Sequence, residues 1–209
     1  MNVKELILGN PYGYRLFQKM NGANKMRRIL SSEYIKAKST DYVLDVACGT
    51  ADIRPFLNEC NYTGIDISEE YISYDRKVYL DSDFICKDLN QYIGETEQKY
   101  DIIILIGVLH HLTDEEVREC LKKLPLILHT KGRIVTMDGA YVNGLSPFER
   151  MLLSADRGKY VRKIGHWKRI FDEVMPDAEY EIRKDLLYLP YNQVLFTWEK
   201  PDSGESEEK

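Results

Sequence analysis

The chain has 209 residues, is 44% hydrophobic and 30% charged, and carries a formal net charge of −5 at pH 7. That size fits one domain with a substantial core, and no run approaches the ~20 apolar residues of a membrane span. The segment Met1-Asn-Val-Lys-Glu5 lacks the apolar core of a signal peptide, so a cytoplasmic protein is expected, and the four cysteines (Cys48, Cys60, Cys86, Cys120) form no C-x-x-C pair and read as buried free thiols.

Residues 1–40 hold eight Lys/Arg against two Glu and are expected to form a helical cap or lid of one or two helices. Tyr42–Val46 reads as a buried strand carrying Asp45. The small residues Ala47, Cys48, Gly49, Thr50 and Ala51 follow, and then Ile53, Phe56, Leu57 and Cys60 at the spacing of an amphipathic helix. A strand turning into a helix offers free backbone N–H groups and a positive dipole end, and small side chains let a ligand reach the main chain. The pattern predicts a nucleotide-type cofactor site. Tyr62–Asp66 and Asp83–Asp88 read as further strands ending in carboxylates, with Ser68 capping a helix after the first of them. Asp101–Ile106 has the continuous apolar run of a central parallel strand.

Thr113-Asp-Glu-Glu116 is a capping box ahead of a helix with Val117, Cys120, Leu121 and Leu124 on its buried stripe, which Pro125 kinks or shortens; His129 falls at its end. Gly132–Asp138 predicts a fifth strand. An insertion over 139–175, with a short helix marked by Trp167, Ile170, Phe171 and Val174, stands where a substrate lid belongs. Alternation over 178–185 and 194–198 predicts an antiparallel hairpin, and 200–209 is a Ser/Glu-rich acidic tail expected to be disordered. The expected fold is α/β: a doubly wound, seven-stranded Rossmann-like sheet over 41–199, mostly parallel with an antiparallel last strand and helices on both faces.

Val43-Leu-Asp-Val-Ala-Cys-Gly-Thr-Ala51, Asp66, Asp88-Leu89 and Gly107-Val-Leu-His-His-Leu-Thr-Asp114, in this order and at these spacings, resemble the motifs of the class I S-adenosylmethionine-dependent methyltransferases. The resemblance implies S-adenosyl-L-methionine as cofactor. It would be held by Asp45, Ala47, Cys48 and Gly49, by Asp66 and Ile67 at the ribose, by Asp88 and Leu89 near the adenine, and by Gly107. It also implies that the N-terminal segment reaches the cofactor carboxylate, with Tyr14 and Arg28 as candidates. Ala47 and Ala51 replace two motif glycines, a change tolerated where φ is negative. The glycine spacing does not suit a dehydrogenase, which needs Gly-x-Gly-x-x-Gly.

Methyl transfer to oxygen needs collinear positioning and a base for the departing proton. His110 and His111 follow the fourth strand, and adjacent side chains cannot both face inward, so one of them at most is the base. By the resemblance, Asp138 at the end of strand five would orient it. Residues 147–172 hold seven Lys/Arg against three acids, and Arg157, Lys159, Arg162 and Lys163 cluster there. Arg157, Tyr160, Arg162 and His166 are the candidate substrate contacts, suited to a small anionic acceptor such as a sugar or specialised metabolite. O-methylation without a metal is expected, with no membrane or nucleic-acid partner. A tRNA methyltransferase and a degenerate cofactor-binding scaffold are the alternatives, and the oligomeric state is open, a homodimer included.

Overall fold

In the computed structural model, residues 22–156 and 158–202 are described. Helix α1 (Ala23–Ile29) runs into a π-helical turn over Leu30–Ile35, followed by β1 (Tyr42–Val46), β2 (Asn61–Asp66), α2 (Glu69–Val78), β3 (Asp83–Cys86), α3 (Leu89–Glu95) and β4 (Tyr100–Ile106). Then come α4 (Asp114–Lys123), β5 (Leu128–Tyr141), α5 (Pro147–Ser154), β6 (Arg162–Lys163), α6 (Ile164–Val174), β7 (Glu179–Arg183) and β8 (Gln193–Glu199). The strands lie in the order β3-β2-β1-β4-β5-β8-β7, with β6 beside the end of β5. Pairing is parallel from β3 to β5, and β8 runs antiparallel to both β5 and β7. This is the doubly wound sheet expected from the sequence, with its last strand reversed.

The apolar run of β4 shows why the sheet is covered on both sides. Ile102 and Ile104 pack with Val43, Ile72 and Leu30 on the α1/α2 face, while Ile103 and Leu105 pack with Val117, Leu121 and Phe171 on the α4/α6 face. All four β4 residues are fully buried. The Thr113 capping box forms as predicted, and Pro125 falls in a 3-10 turn (Leu124–Ile127) after α4. The chain then enters β5 at Leu128, so His129 is on a strand and not at a helix end.

Several expectations need correction. The stripe Ile53, Phe56, Leu57, Cys60 forms no helix. One 3-10 turn (Arg54–Phe56) is followed by an extended Leu57 at φ −77°, ψ 146°. Proline at position 55 disfavours helical backbone at Arg54, and β2 begins at Asn61, which leaves no room for a helix and a return loop. Ile53 and Leu57 are buried all the same. Ala47 and Ala51 do not have negative φ; they sit at φ 54° and 46°, in the left-handed region. Of the four free cysteines only Cys120 is fully buried, the others being half-buried. Within the insertion, β6 was not expected: it returns to the sheet and pairs in parallel with Ala140 and Tyr141 of β5. Tyr14 and Arg157, with the cap before residue 22 and the tail after 202, lie outside the described residues. Among the described residues no helix is long and apolar enough to cross a membrane.

Candidate active site

At the carboxyl edge of β1 the chain turns through Ala47, Gly49 and Ala51, all at positive φ. Because no helix follows, close approach to the backbone here comes from these turns and not from a helix dipole. Asp45 closes β1, is 4% exposed, and accepts from the Tyr62 hydroxyl at 2.6 Å. Burial raises its carboxyl to about 7, although the Tyr62 hydrogen bond pulls the other way. Asp66, at the end of β2, ties the edge together: Oδ2 accepts from Gly49 N at 2.9 Å and Oδ1 from Ser68 N at 2.8 Å. The carboxylate keeps lone pairs for further donors.

Ile67, next in the chain, is 77% exposed, an apolar surface suited to an aromatic ring. Asp88 caps α3, accepting from Asn90 N at 2.8 Å on one oxygen, with Leu89 half-buried beside it. Gly107 ends β4 at φ 71°, its N–H donating to Met137 O at 2.7 Å. A Cβ at Gly49 would meet nothing within 4 Å, so the motif turn borders open space. These residues fit an adenosyl cofactor: carboxylates for a diol, an exposed aliphatic face for a base, and an uncrowded glycine.

Among the described residues of the cap, Arg27 reaches the first motif and pairs with Asp52 at 2.8 Å. Arg28 instead lies over the Phe56 ring, 5.6 Å from its centroid, lining a groove of about 460 Å³ with Ser31, Ser32, Lys36, Lys38 and Asn58.

The two histidines differ in their surroundings. His110 is buried, with Nδ1 2.7 Å from Asp138 Oδ1 and Nε2 3.2 Å from Asp156 Oδ1. Burial alone would lower its pKa, but the two carboxylates hold it up at about 9. Asp156 is pulled down to about 2 against its own burial by His110 and Tyr191, whereas burial pushes Asp138 upward. His111 is exposed, its ring tilted at 36° to that of His110 with 4.3 Å between centroids. Partial burial and then the charge of His110 lower its pKa. One imidazole is thus held charged and occupied, and its neighbour neutral and accessible, the separation expected of an acid/base pair.

The insertion reaches His110 directly. Tyr160 N donates to His110 O at 2.9 Å. Arg162 is 5% exposed and uses its fork on the protein: Nε donates to Asp114 Oδ1 at 2.8 Å, Nη1 to the Leu109 and Tyr160 carbonyls, and Nη2 to Leu112 O at 2.6 Å. Its guanidinium also stacks over Trp167, 4.7 Å from the ring centroid. The Arg162 guanidinium is thus occupied by Asp114 and by three backbone carbonyls. His166 likewise pairs with Asp114 Oδ2 at 2.6 Å. Tyr160 is exposed at the lid surface. Sequence reasoning missed Asp156 and Tyr191; the acid beside Gly158 within the basic run was the available signal. Among the described residues no group of three or more His, Cys, Asp or Glu could hold a metal ion.

A family model described as a methyltransferase domain matches residues 43–132. The chain is 27% identical over 150 residues to an uncharacterized methyltransferase of Anoxybacillus flavithermus, covering 68% of each chain. It is 29% identical over 139 residues to N-terminal Xaa-Pro-Lys N-methyltransferase 1 of Xenopus tropicalis, covering 61% of this chain and 60% of that protein. It also matches an uncharacterized Methanocaldococcus jannaschii protein at 27% identity over 141 residues, but spans only 35% of that protein's length. The plantazolicin methyltransferase BpumL, solved with a triazolic desmethylPZN analog and SAH, shares the fold at TM-score 0.65 and 15% identity over 95% of both chains. The chain thus carries a methyltransferase domain over residues 43–132, within a sheet whose order and reversed last strand it shares with solved S-adenosylmethionine-dependent methyltransferases.

Proposed function

We propose that the protein transfers a methyl group from S-adenosylmethionine to a hydroxyl of a small-molecule acceptor, with His111 as the base. One observation carries the reading: His111 is an exposed imidazole kept neutral beside a charged, buried His110 at the carboxyl edge of β4. The acceptor oxygen takes the methyl, its proton passes to His111, and the broken carbon–sulfur bond leaves its electron pair on sulfur as a neutral thioether. The lid over 156–163 and Tyr160 would wall the acceptor. Among the described residues of the cluster, the exposed Lys159 and Lys163 support an anionic acceptor, while Arg162 is engaged by Asp114 and backbone carbonyls.

Calorimetry with S-adenosylmethionine and S-adenosylhomocysteine, with NAD as control, tests the cofactor half. Micromolar binding corresponds to about −8 kcal/mol, and failure to bind either sulfur ligand would favour the degenerate scaffold. A panel of hydroxylated small molecules, neutral and anionic, read by mass for one added methyl, tests the acceptor half. The likeness to a protein N-methyltransferase favours an amine as second acceptor; the same base would take an ammonium proton, and the position of the methyl in the product separates the two.

A further inference from the structure

The groove beside Arg28 lies away from the histidines. Arg28 of α1, Ser31 of the π-helical turn, Lys36 and Lys38 before β1, and Phe56 and Asn58 before β2 enclose about 460 Å³. The segments that lead into β1 and β2 stand at the amino ends of those strands, whereas His110 and His111 follow the carboxyl end of β4. Two hydrogen bonds tie the walls across: Ser31 Oγ donates to Phe56 O at 2.6 Å, and Asn58 Nδ2 donates to Ala37 O at 3.1 Å. Lys36 holds left-handed backbone at φ 47°. Its N–H donates to Ser31 O at 2.8 Å, and its carbonyl accepts from Arg133 Nη2 at 3.2 Å. The shape of the groove is therefore set by the fold itself.

Its charges have one sign. Among the described residues, no acid lines the groove and no carboxylate pairs with the side chains of Arg28, Lys36 or Lys38. The acids of the neighbouring segments are engaged elsewhere: Glu33 with Arg183 at 2.9 Å, Asp52 with Arg27 at 2.8 Å, and Asp41 with the Lys38 backbone N at 2.9 Å. Glu59 is exposed and outside the lining. In a chain of net charge −5, three cations on one hollow repel one another and leave a positive field that an anion neutralises. Under the Arg28 guanidinium, 5.6 Å from it, the half-buried Phe56 ring adds an aromatic surface.

We propose that this groove is a second binding site, for a small aromatic phosphomonoester. Three cations suit a doubly charged group, with the arginine fork matching phosphate oxygens and the lysines acting as point charges. The volume lies in the range of small-molecule sites, about 300–1,000 Å³, and exceeds what a bare phosphate fills; the Phe56 ring takes the flat body of the ligand. A nucleic-acid strand is a poorer match. Its affinity comes from a track of about 6–10 phosphate contacts, and three cations in one hollow make no track. The site is independent of the methyl-transfer reading and of His111.

Titration of the full-length, nitrogen-15-labelled protein with phenyl phosphate, phenyl sulfate and inorganic phosphate, read from backbone amide shifts, tests the proposal. Phenyl phosphate is expected to bind with a submillimolar Kd, at least about tenfold tighter than the singly charged sulfate or the ringless phosphate. The amides that shift are expected to be those of residues 31–38 and 58. The double variant Lys36→Gln/Lys38→Gln should weaken this binding at least about tenfold with an unchanged melting temperature. Lys38→Glu, a single change at an exposed side chain, should weaken it as well and serves where the double variant does not fold. Equal, millimolar binding of all three probes would mean an adventitious ion only and overturn the proposal. Shifts confined to the β4 edge around His111, or an affinity that neither variant changes, would also overturn it. Single-stranded RNA that moves the same amides and resists displacement by phenyl phosphate would overturn it in favour of a nucleic-acid backbone.

Discussion

The Tyr62 hydroxyl donates to Asp45 Oδ2 at 2.6 Å, so the acid that closes β1 is held by a side chain from the neighbouring strand, within the sheet. Burial leaves Asp45 with a pKa of about 7 against an ordinary 3.8. Between those values the folded chain keeps a proton that the unfolded chain has lost, so stability falls as pH rises through that window, by at most about 4 kcal/mol. His110 acts in the same direction over a higher range. Raised to about 9 from 6.5, it stabilises fully below pH 6.5 and loses that contribution as pH rises through 9. Thermal melts of the cofactor-free protein should show a falling Tm from pH 5 to 9, and Asp45→Asn should flatten the lower part of that fall alone.

Ala47 and Ala51 both hold left-handed backbone, which costs a residue with a Cβ roughly 1–2 kcal/mol. Glycine relieves that strain but adds about 0.5–1 kcal/mol of unfolded-state entropy. At Ala47 the methyl is exposed, so Ala47→Gly should stabilise by about 0.5–1 kcal/mol. Ala51 is fully buried, and losing its methyl removes about 0.8 kcal/mol of burial, so Ala51→Gly should be near neutral or worse. Denaturant midpoints of the two variants check the contrast.

Arg162 meets Asp114 and three backbone carbonyls while buried under Trp167. Lysine cannot reproduce that fork. Arg162→Ala should cost about 1–3 kcal/mol, the range for leaving buried hydrogen-bonding groups without their partner, since the Asp114 side chain is 30% exposed. Arg162→Lys should recover only part of it, with cofactor affinity unchanged in whatever fraction folds. Urea unfolding and calorimetry on the same samples separate this from a clamp role, which would leave stability intact.

His111→Gln should lower turnover by about 10²–10⁴-fold, the usual contribution of a positioned base, while binding of S-adenosylhomocysteine is retained. His110→Gln should lower both turnover and stability, because two buried or half-buried carboxylates lose their shared cation. Rate and melting measurements made together distinguish the two histidines.

Much of this fold was legible because local chemistry and tertiary role coincide. Asp45 and Asp66 follow apolar runs and do end strands, Thr113 and Glu116 cap the helix they predict, and the alternation after Ala178 forms a hairpin. The stripe from Ile53 to Cys60 misled because burial of Ile53 and Leu57 satisfies helical spacing without requiring a helix, and Pro55 carried the opposing signal. Arg162 was read as a clamp because composition reports a cation and not its partners. Asp156 was invisible for the reason that makes it informative: its partners, His110 and Tyr191, are brought to it from other elements by the closing of the sheet.

Gly158 packs so tightly on His110 that a Cβ there would overlap the ring, and that ring is pinned at both nitrogens and cannot step aside. The lid therefore fits its seat through an atom that is missing. Redesign of acceptor scope has room at Lys159, Tyr160 and Lys163, whose side chains are exposed, but a loop grafted from another methyltransferase will close only if it brings a glycine to this one position.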